Sequence, residues 1–326
     1  MEAIMGIKNI IVSAVLSCGV FVSSLFAQET QDSIYETYQF ENGKLYVARD
    51  YNGILFGGIY ANGYKGCEVG LDKSSLQCGK YQFTLEKGKI VGDNAKILDS
   101  FAIKSQKIVY RQTQASPSNI SMLIVCSKNP KIQNLLELMY QKEFECTNAQ
   151  QVFLKEAEES MQEYLKDIGD LNVEEYLKKF PLEEITEDKL YYFDENLLVF
   201  EKMSYLYTGG AHGNHGKWGV VLSKKEGIVE LNEIIDLNNL ELKQILWEKY
   251  QDIAAKEKVK DYITFENFKV SDAILLSYDG IVFVYQPYEI MPYVYGNIEI
   301  KLPLEVVEKF GNFKDSPLKY LFLRQN

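Results

Sequence analysis

The chain has 326 residues, of which 46% are hydrophobic and 25% charged, with 35 Lys and Arg against 46 Asp and Glu for a net charge of −11. That length reaches the two-domain range and can bury a sizeable core without metal or disulfide staples. The acidic balance argues against nucleic acid and anionic lipid as main partners, since binding them rests on cationic contacts to phosphate, and it favours a cationic partner instead. Tyr is unusually common at 23 residues; its apolar ring and polar tip suit sheet faces and binding surfaces alike.

Residues 1–27 read as a secretory signal peptide. Lys8 precedes an apolar run from Ile10 to Phe26, and Ser24-Leu25-Phe26-Ala27 ends it, so cleavage is expected after Ala27. Val15-Leu16-Ser17-Cys18 loosely resembles a lipobox, which would place a lipid on Cys18, and the run could also stay as an anchor, although it is short for a bilayer span. The leader holds only Glu2 and Lys8 as charged residues, so its removal leaves the net charge unchanged. The chain is therefore expected in the periplasm or another extracytoplasmic space, with no integral membrane segment after cleavage.

Four further cysteines, Cys67, Cys78, Cys126 and Cys146, form an even set in an exported chain, which reads as disulfides. Three connectivities exist. Neighbour pairing, Cys67 with Cys78 and Cys126 with Cys146, closes loops of modest length and is the expected one. A metal site is disfavoured because no pair has CxxC spacing; free buried thiols are the alternative.

Residues 28–100 are expected to form a small β-rich region. Leu45–Ala48, Gly53–Tyr60 and Tyr81–Leu85 are strand-like, with turns at Asn52-Gly53 and Asn62-Gly63. From about residue 101 the texture changes. Ile108–Arg111 and Ser121–Cys126 read as strands around a polar loop, and Ile132–Tyr140 as a helix. Thr147 with Gln150 has capping-box spacing. Behind it Leu154, Ala157, Met161, Leu165 and Ile168 recur at three- and four-residue steps, the apolar face of a helix that Gly169 can end. Leu190–Phe193 and Leu197–Tyr207 flank Asp194-Glu195-Asn196, a hairpin turn; after a glycine-rich stretch, Trp218–Ser223 and Gly227–Leu231 make a second hairpin. Leu242, Ile245, Leu246, Tyr250 and Ile253 mark another helix face. Ala273–Ser277 and Ile281–Tyr285 flank Tyr278-Asp279-Gly280, Ile298–Leu302 is a last strand, and Leu304–Phe310 a short helix. Tight hairpins and partly segregated helices predict an α+β fold: an antiparallel sheet with packed helices, plus the β-rich N-terminal region.

Two segments could carry chemistry. Tyr207-Thr208-Gly209-Gly210-Ala211-His212-Gly213-Asn214-His215-Gly216 holds both histidines of the chain. His212 and His215 have the spacing of two metal ligands, but a site needs further ones; His212 could act as a general base, but no Ser, Cys or Asp partner is recognisable from spacing; the glycines could form an anion nest; or the stretch is simply a tight loop. The second is Gln286-Pro287-Tyr288-Glu289-Ile290-Met291-Pro292-Tyr293-Val294-Tyr295-Gly296. Two prolines fix a turn after a strand, and Tyr288, Tyr293 and Tyr295 offer aromatic faces beside the Glu289 carboxylate. Such a set suits sugar or peptide recognition, and equally a packed sheet end.

Taken together, Tyr207–Gly213 and Pro287–Tyr293 resemble the paired signatures of the C-terminal, extracytoplasmic domain family of the anti-sigma factor RsiV, a domain that also accompanies the catalytic domain of the peptidoglycan deacetylase PdaC. The resemblance spans about residues 101–326, including the Asp236-Leu237 region and the strand after Gly296. It implies a binding module, since RsiV binds lysozyme as a signal. It does not extend to His215, and the His and Asp motifs of a polysaccharide deacetylase are not in the sequence.

The expectation is thus an exported envelope binding protein without a cofactor. Its partner would be an envelope protein, such as a lysozyme-like one, or a peptidoglycan-derived glycan, gripped by Tyr207, Thr208, Gly209, Gly210, His212, Tyr288, Glu289 and Tyr293. The alternatives are a cell-wall hydrolase using His212 with a carboxylate or a metal, His212 and His215 then being the ligands, and a structural envelope protein without enzymatic activity. All three readings need the two segments placed relative to one another.

Overall fold

Alternation along one strand sets the layering. In Leu197-Leu198-Val199-Phe200 the odd residues enter one hydrophobic core and the even residues another, as the two-residue period of a strand dictates when both faces of a sheet are covered. The structure is a computed structural model that describes residues 34–50, 52–60, 64–111, 118–168, 172–194, 196–277 and 280–322. The leader with Cys18, the Asn62-Gly63 turn, most of the polar loop after Arg111, the Gly169 cap, Glu195 and the Tyr278-Asp279 turn lie outside the described residues.

The N-terminal strands are β1 (Ile34–Phe40), β2 (Gly43–Asp50), β3 (Gly53–Tyr60) and β4 (Tyr64–Gly66), followed by the short β5 (Glu68–Val69), β6 (Ser75–Cys78), β7 (Tyr81–Glu86) and β8 (Lys89–Gly92). The long β9 (Ile97–Tyr110) turns back into β10 (Asn119–Ser127). Three helices follow, α1 (Pro130–Tyr140), α2 (Ala149–Ile168) and α3 (Val173–Lys179), then β11 (Glu183–Phe193), β12 (Leu197–Tyr207), β13 (Asn214–Ser223) and β14 (Gly227–Val229). The chain closes with α4 (Leu231–Ile234), α5 (Leu240–Lys256), β15 (Ile274–Ser277), β16 (Gly280–Tyr285), β17 (Ile298–Pro303), α6 (Leu304–Val307) and α7 (Lys319–Phe322).

The fold is α+β. A ten-stranded sheet runs β14-β13-β12-β11-β10-β9-β1-β2-β3-β4; β15-β16-β17 form a second sheet and β5-β6-β7-β8 a third. Every pairing in the large sheet is antiparallel except β10–β11. That parallel pair needs a crossover, and α1 to α3 supply it. Residue 100 falls inside β9, which pairs β1 on one side and β10 on the other, so the β-rich N-terminal strands and the later strands share one sheet.

Three cores follow from this layering. Ile124, Leu198, Phe200 and Leu222 meet the α2 residues Phe153, Ala157 and Met161 on one face. Val199 and Val221 meet α5 (Leu242, Leu246, Tyr250) and the second sheet (Leu275, Phe283, Ile300) on the other. Phe40, Leu45 and Ile54 pack against Leu76 and Phe83 of the small sheet. Helix α2 starts at Ala149, and the Thr147 hydroxyl donates to Glu145 Oε2 at 3.1 Å, so the expected capping box does not form. Its neighbour α1 is capped by Asn129, whose Oδ1 accepts from Lys131 N and Ile132 N. Asp194 makes the β11–β12 turn: its carboxylate accepts the Asn196 and Leu197 amides at 2.7 and 2.9 Å and the Tyr320 hydroxyl at 2.7 Å. Among the described residues no helix is long and apolar enough to cross a membrane.

Both expected disulfides are present, Cys67–Cys78 and Cys126–Cys146. The second ties β10 to the start of α2 across 20 residues of sequence and sits within the helix-side core. Closing a loop of that length restricts the unfolded chain by about 3 kcal/mol. A Cys126→Ala/Cys146→Ala double variant is expected to lose about that much stability in urea unfolding; an unchanged midpoint would contradict the assignment.

Candidate functional site

The tight loop between β12 and β13 is forced by glycine. Gly209 has φ +101°, and a Cβ there would lie 2.7 Å from the Phe180 ring just beyond α3. A Cβ on the buried Gly213 would lie 2.5 Å from the Tyr205 ring, so the chain can close over Tyr205 only without a side chain. The Tyr207 hydroxyl donates to Gly210 O at 3.2 Å, fastening the loop across its base, while Thr208 is exposed. Strand β13 begins at Asn214, earlier than the sequence reading placed it. His215 is therefore a strand residue opposite Tyr205 rather than part of the loop.

The second segment is a turn with an unusual third position. Glu289 N–H donates to Gln286 O at 3.1 Å, Pro287 stands second and Tyr288 third, with φ +73°. This is the type II pattern, whose third residue is usually glycine. A tyrosine held there costs on the order of 1–3 kcal/mol of backbone strain. Contacts on both sides hold it: Tyr288 N–H donates to Met291 O at 3.1 Å, and the Tyr262 hydroxyl donates to Tyr288 O at 3.3 Å.

The two segments meet. The His212 ring stacks on Tyr293 with centroids 3.8 Å apart and planes 19° from parallel. Tyr293 donates its hydroxyl to Gly213 O at 2.7 Å. His212 Nδ1 lies 2.9 Å from the same carbonyl and Nε2 lies 3.1 Å from the Tyr288 hydroxyl. A carbonyl only accepts, so Nδ1 carries a proton and, in the neutral ring, Nε2 accepts from Tyr288. His215 meets Tyr293 edge-on at 5.4 Å. Burial, and then His212, holds His215 below its ordinary value, and burial followed by Tyr288 raises the Tyr293 phenol. Tyr288 remains 54% exposed and Val294 64%, so the cluster presents aromatic and apolar surface to solvent.

Gln286 sets this geometry, although the sequence reading gave it no role. Its Oε1 accepts Lys217 N–H at 2.9 Å and its Nε2 donates to Lys217 O at 2.7 Å, while Asn297 Nδ2 donates to the same Oε1 at 2.8 Å. The short β14 pairs only Val221 to Ser223. Farther along the same edge of β13, the Gln286 amide takes the place of one residue of a neighbouring strand. Lys217 itself bridges Glu201 and Glu299, both at 2.7 Å; burial opposes its charge, and the two carboxylates outweigh burial to raise its pKa.

Glu289 does not join the histidine. It turns the other way, with Oε2 accepting Gln286 N–H at 2.8 Å, and partial desolvation raises its pKa against the opposing effect of that bond. Among the described residues, no three His, Cys, Asp or Glu side chains gather into a metal-binding group. Tyr205, Phe180, Tyr262 and Asn297 are parts of the arrangement that the sequence patterns did not single out; the one local signal was Gln286, standing directly before the Pro287-Tyr288 turn.

Fold and site together describe an α+β protein whose sheet end carries a solvent-facing aromatic cluster braced from a second sheet. Residues 224–305 match the family described as "Protein of unknown function (DUF3298)", a span that contains the Tyr288 turn and follows the His212 loop. The chain is similar to a crystal structure of a DUF3298 family member from Bacteroides fragilis, at 21% identity over 64% of this chain and 92% of that one, with a TM-score of 0.48. It is also similar to one from Pseudomonas aeruginosa PAO1, at 15% identity over 64% and 91%, with a TM-score of 0.42. No curated protein matches it.

The lowered pKa of His215 makes stability depend on pH. The unfolded chain binds its proton more readily, so the stability this residue contributes is present above its ordinary value of 6.5 and is lost as pH falls below it. Melting temperature is expected to fall more steeply from about pH 7.5 to 5.5 in the wild type than in His215→Asn; parallel profiles would contradict this.

Proposed function

We propose that this chain is an exported envelope binding protein, related to the extracytoplasmic domain of RsiV-type anti-sigma factors, that recognises a cationic protein partner through the surface built on His212, Tyr288 and Tyr293. One observation carries the reading: Tyr288 occupies a backbone conformation suited to glycine and is nevertheless more than half exposed. Strain of this kind is held by surrounding contacts and collects at functional sites, and burial does not account for this ring. A rigid, exposed tyrosine beside a stacked histidine is a low-entropy anchor for a partner's apolar or cationic side chains.

Charge supports the same reading. The net −11 of the chain would speed encounter with a basic protein and favour its orientation. Two disulfides fit the extracytoplasmic space that the signal-like leader proposes. The contacts of His212 also favour recognition over catalysis. Its two ring nitrogens are engaged by a backbone carbonyl and a phenol, and the Glu289 carboxylate serves its own turn.

The test is binding at low salt to a cationic lysozyme, with peptidoglycan fragments as a second arm. Tyr288→Gly is the informative variant because it relieves the strain as it removes the ring. Its unfolding midpoint is expected to stay within about 1 kcal/mol of wild type, while lysozyme affinity falls about tenfold or more. A wild-type protein that binds no lysozyme would overturn the reading, as would a Tyr288→Gly variant that binds it normally; binding of the fragments alone would turn the partner from protein to glycan.

A further inference from the structure

The aromatic surface does not end at Tyr293. The Gly213 carbonyl accepts from the Tyr293 hydroxyl, and the same glycine closes over the Tyr205 ring, so Tyr205 lies against the cluster. Tyr205 and Tyr207 project to one face of β12, the face that also carries His215, which stands opposite Tyr205. Tyr207 in turn stands directly opposite Glu183 of β11. Residues paired in this way point to the same side of a sheet, with Cβ atoms about 5 Å apart. The row of rings therefore continues from Tyr293 through Tyr205 to Tyr207 and ends on a carboxylate. Tyr205, Tyr207 and Glu183 are all partly open to solvent.

Glu183 differs from the acids around it. Glu187 is answered by Lys189 at 2.7 Å, Asp188 by Lys202 at 2.8 Å and Glu201 by Lys217 at 2.7 Å. Even the next residue, Glu184, on the opposite face, accepts the Ser160 hydroxyl at 3.2 Å. Among the described residues neither a cation nor a hydrogen-bond donor meets the Glu183 carboxylate, and burial raises its pKa with nothing to offset it. Its charge is felt along the row: burial and then Glu183 raise the Tyr205 phenol. Drawing a carboxylate partly out of water without a partner costs folding stability. Here that cost falls at the end of an exposed aromatic row, where a cation from outside the chain would remove it.

We propose that Glu183 receives an arginine side chain of the cationic partner, laid across Tyr205 and Tyr207 with its guanidinium on the carboxylate. A guanidinium is flat and weakly hydrated, stacks on aromatic faces and forks to a carboxylate, whereas a lysine ammonium is a compact, strongly hydrated charge that matches neither the rings nor the fork as well. The arginine site rests on the reading of the aromatic surface as a recognition site, and it adds the group that makes that surface selective for a basic partner.

Titration of the full chain with N-acetyl-arginine amide, followed by NMR at the Tyr205 and Tyr207 amides, tests this. The neutral isostere N-acetyl-citrulline amide is expected to bind at least about tenfold more weakly, and Glu183→Gln to weaken arginine binding about fivefold or more. Glu183→Gln is also expected to unfold at or above the wild-type midpoint, because it removes an unpaired carboxylate and no internal bond. No shift with the arginine amide, equal binding of the citrulline amide, or undiminished arginine binding by Glu183→Gln would each overturn the proposal. Lysozyme separates this site from the function it serves: arginine binding at Glu183 without lysozyme binding supports the site and faults the choice of partner, while lysozyme binding that Glu183→Gln leaves unchanged overturns the site alone.

Discussion

The arrangement of the surface depends on one side-chain amide. Gln286 pairs with both polar atoms of the Lys217 peptide and receives a third bond from Asn297, which joins the edge of the large sheet to the end of β16. An open sheet edge presents unpaired amides and carbonyls and is prone to pair with other chains. Here a glutamine side chain closes that edge one residue at a time. Because Gln286 is also the first residue of the Pro287-Tyr288 turn, the bond that closes the edge also sets the position of the tyrosines. The ion pairs from Lys217 to Glu201 and Glu299 reinforce the same junction from the opposite direction.

From that brace the turn faces two ways. Tyr288 and Tyr293 are directed toward the glycine loop, where the stacked His212 and the shared Gly213 carbonyl fix their rings. Glu289 is directed away from the histidine, where its carboxylate accepts Gln286 N–H and closes its own turn. Strain at Tyr288 is a departure from local consistency, and departures of this type collect at functional sites. Tyr288 follows closely on β16, which is buried throughout, while the neighbouring β17 alternates buried and exposed residues.

Much of the fold was legible because the hydrophobic period was clear. The limits of β3 and β12 were read from the sequence as they stand in the structure, and the helix faces of α2 and α5 were visible in their three- and four-residue spacing. Glu183–Lys189 was missed as part of β11 because Glu-Glu-Ile-Thr-Glu-Asp-Lys carries acids at strand positions. Two of them are buried with lysine partners: Glu187 pairs with Lys189 of its own strand, and Asp188 with Lys202, a pairing that is visible only once β12 lies alongside. Likewise α3 is a short helix capped by Asn172, too brief for a period to show. At the site, the two segments could be picked out from composition. Their meeting and the role of Gln286 could not, because each depends on partners many residues distant in the chain.

Hydrogen exchange at the Lys217 amide tests the brace most directly. Exchange is expected to be slow in the wild type and fast in Gln286→Leu, with the β12-paired amides of β13 left protected. A Lys217 amide that exchanges as fast in the wild type as in the variant would mean that the two sheets are not joined there, and the aromatic surface built on that junction would lose its support.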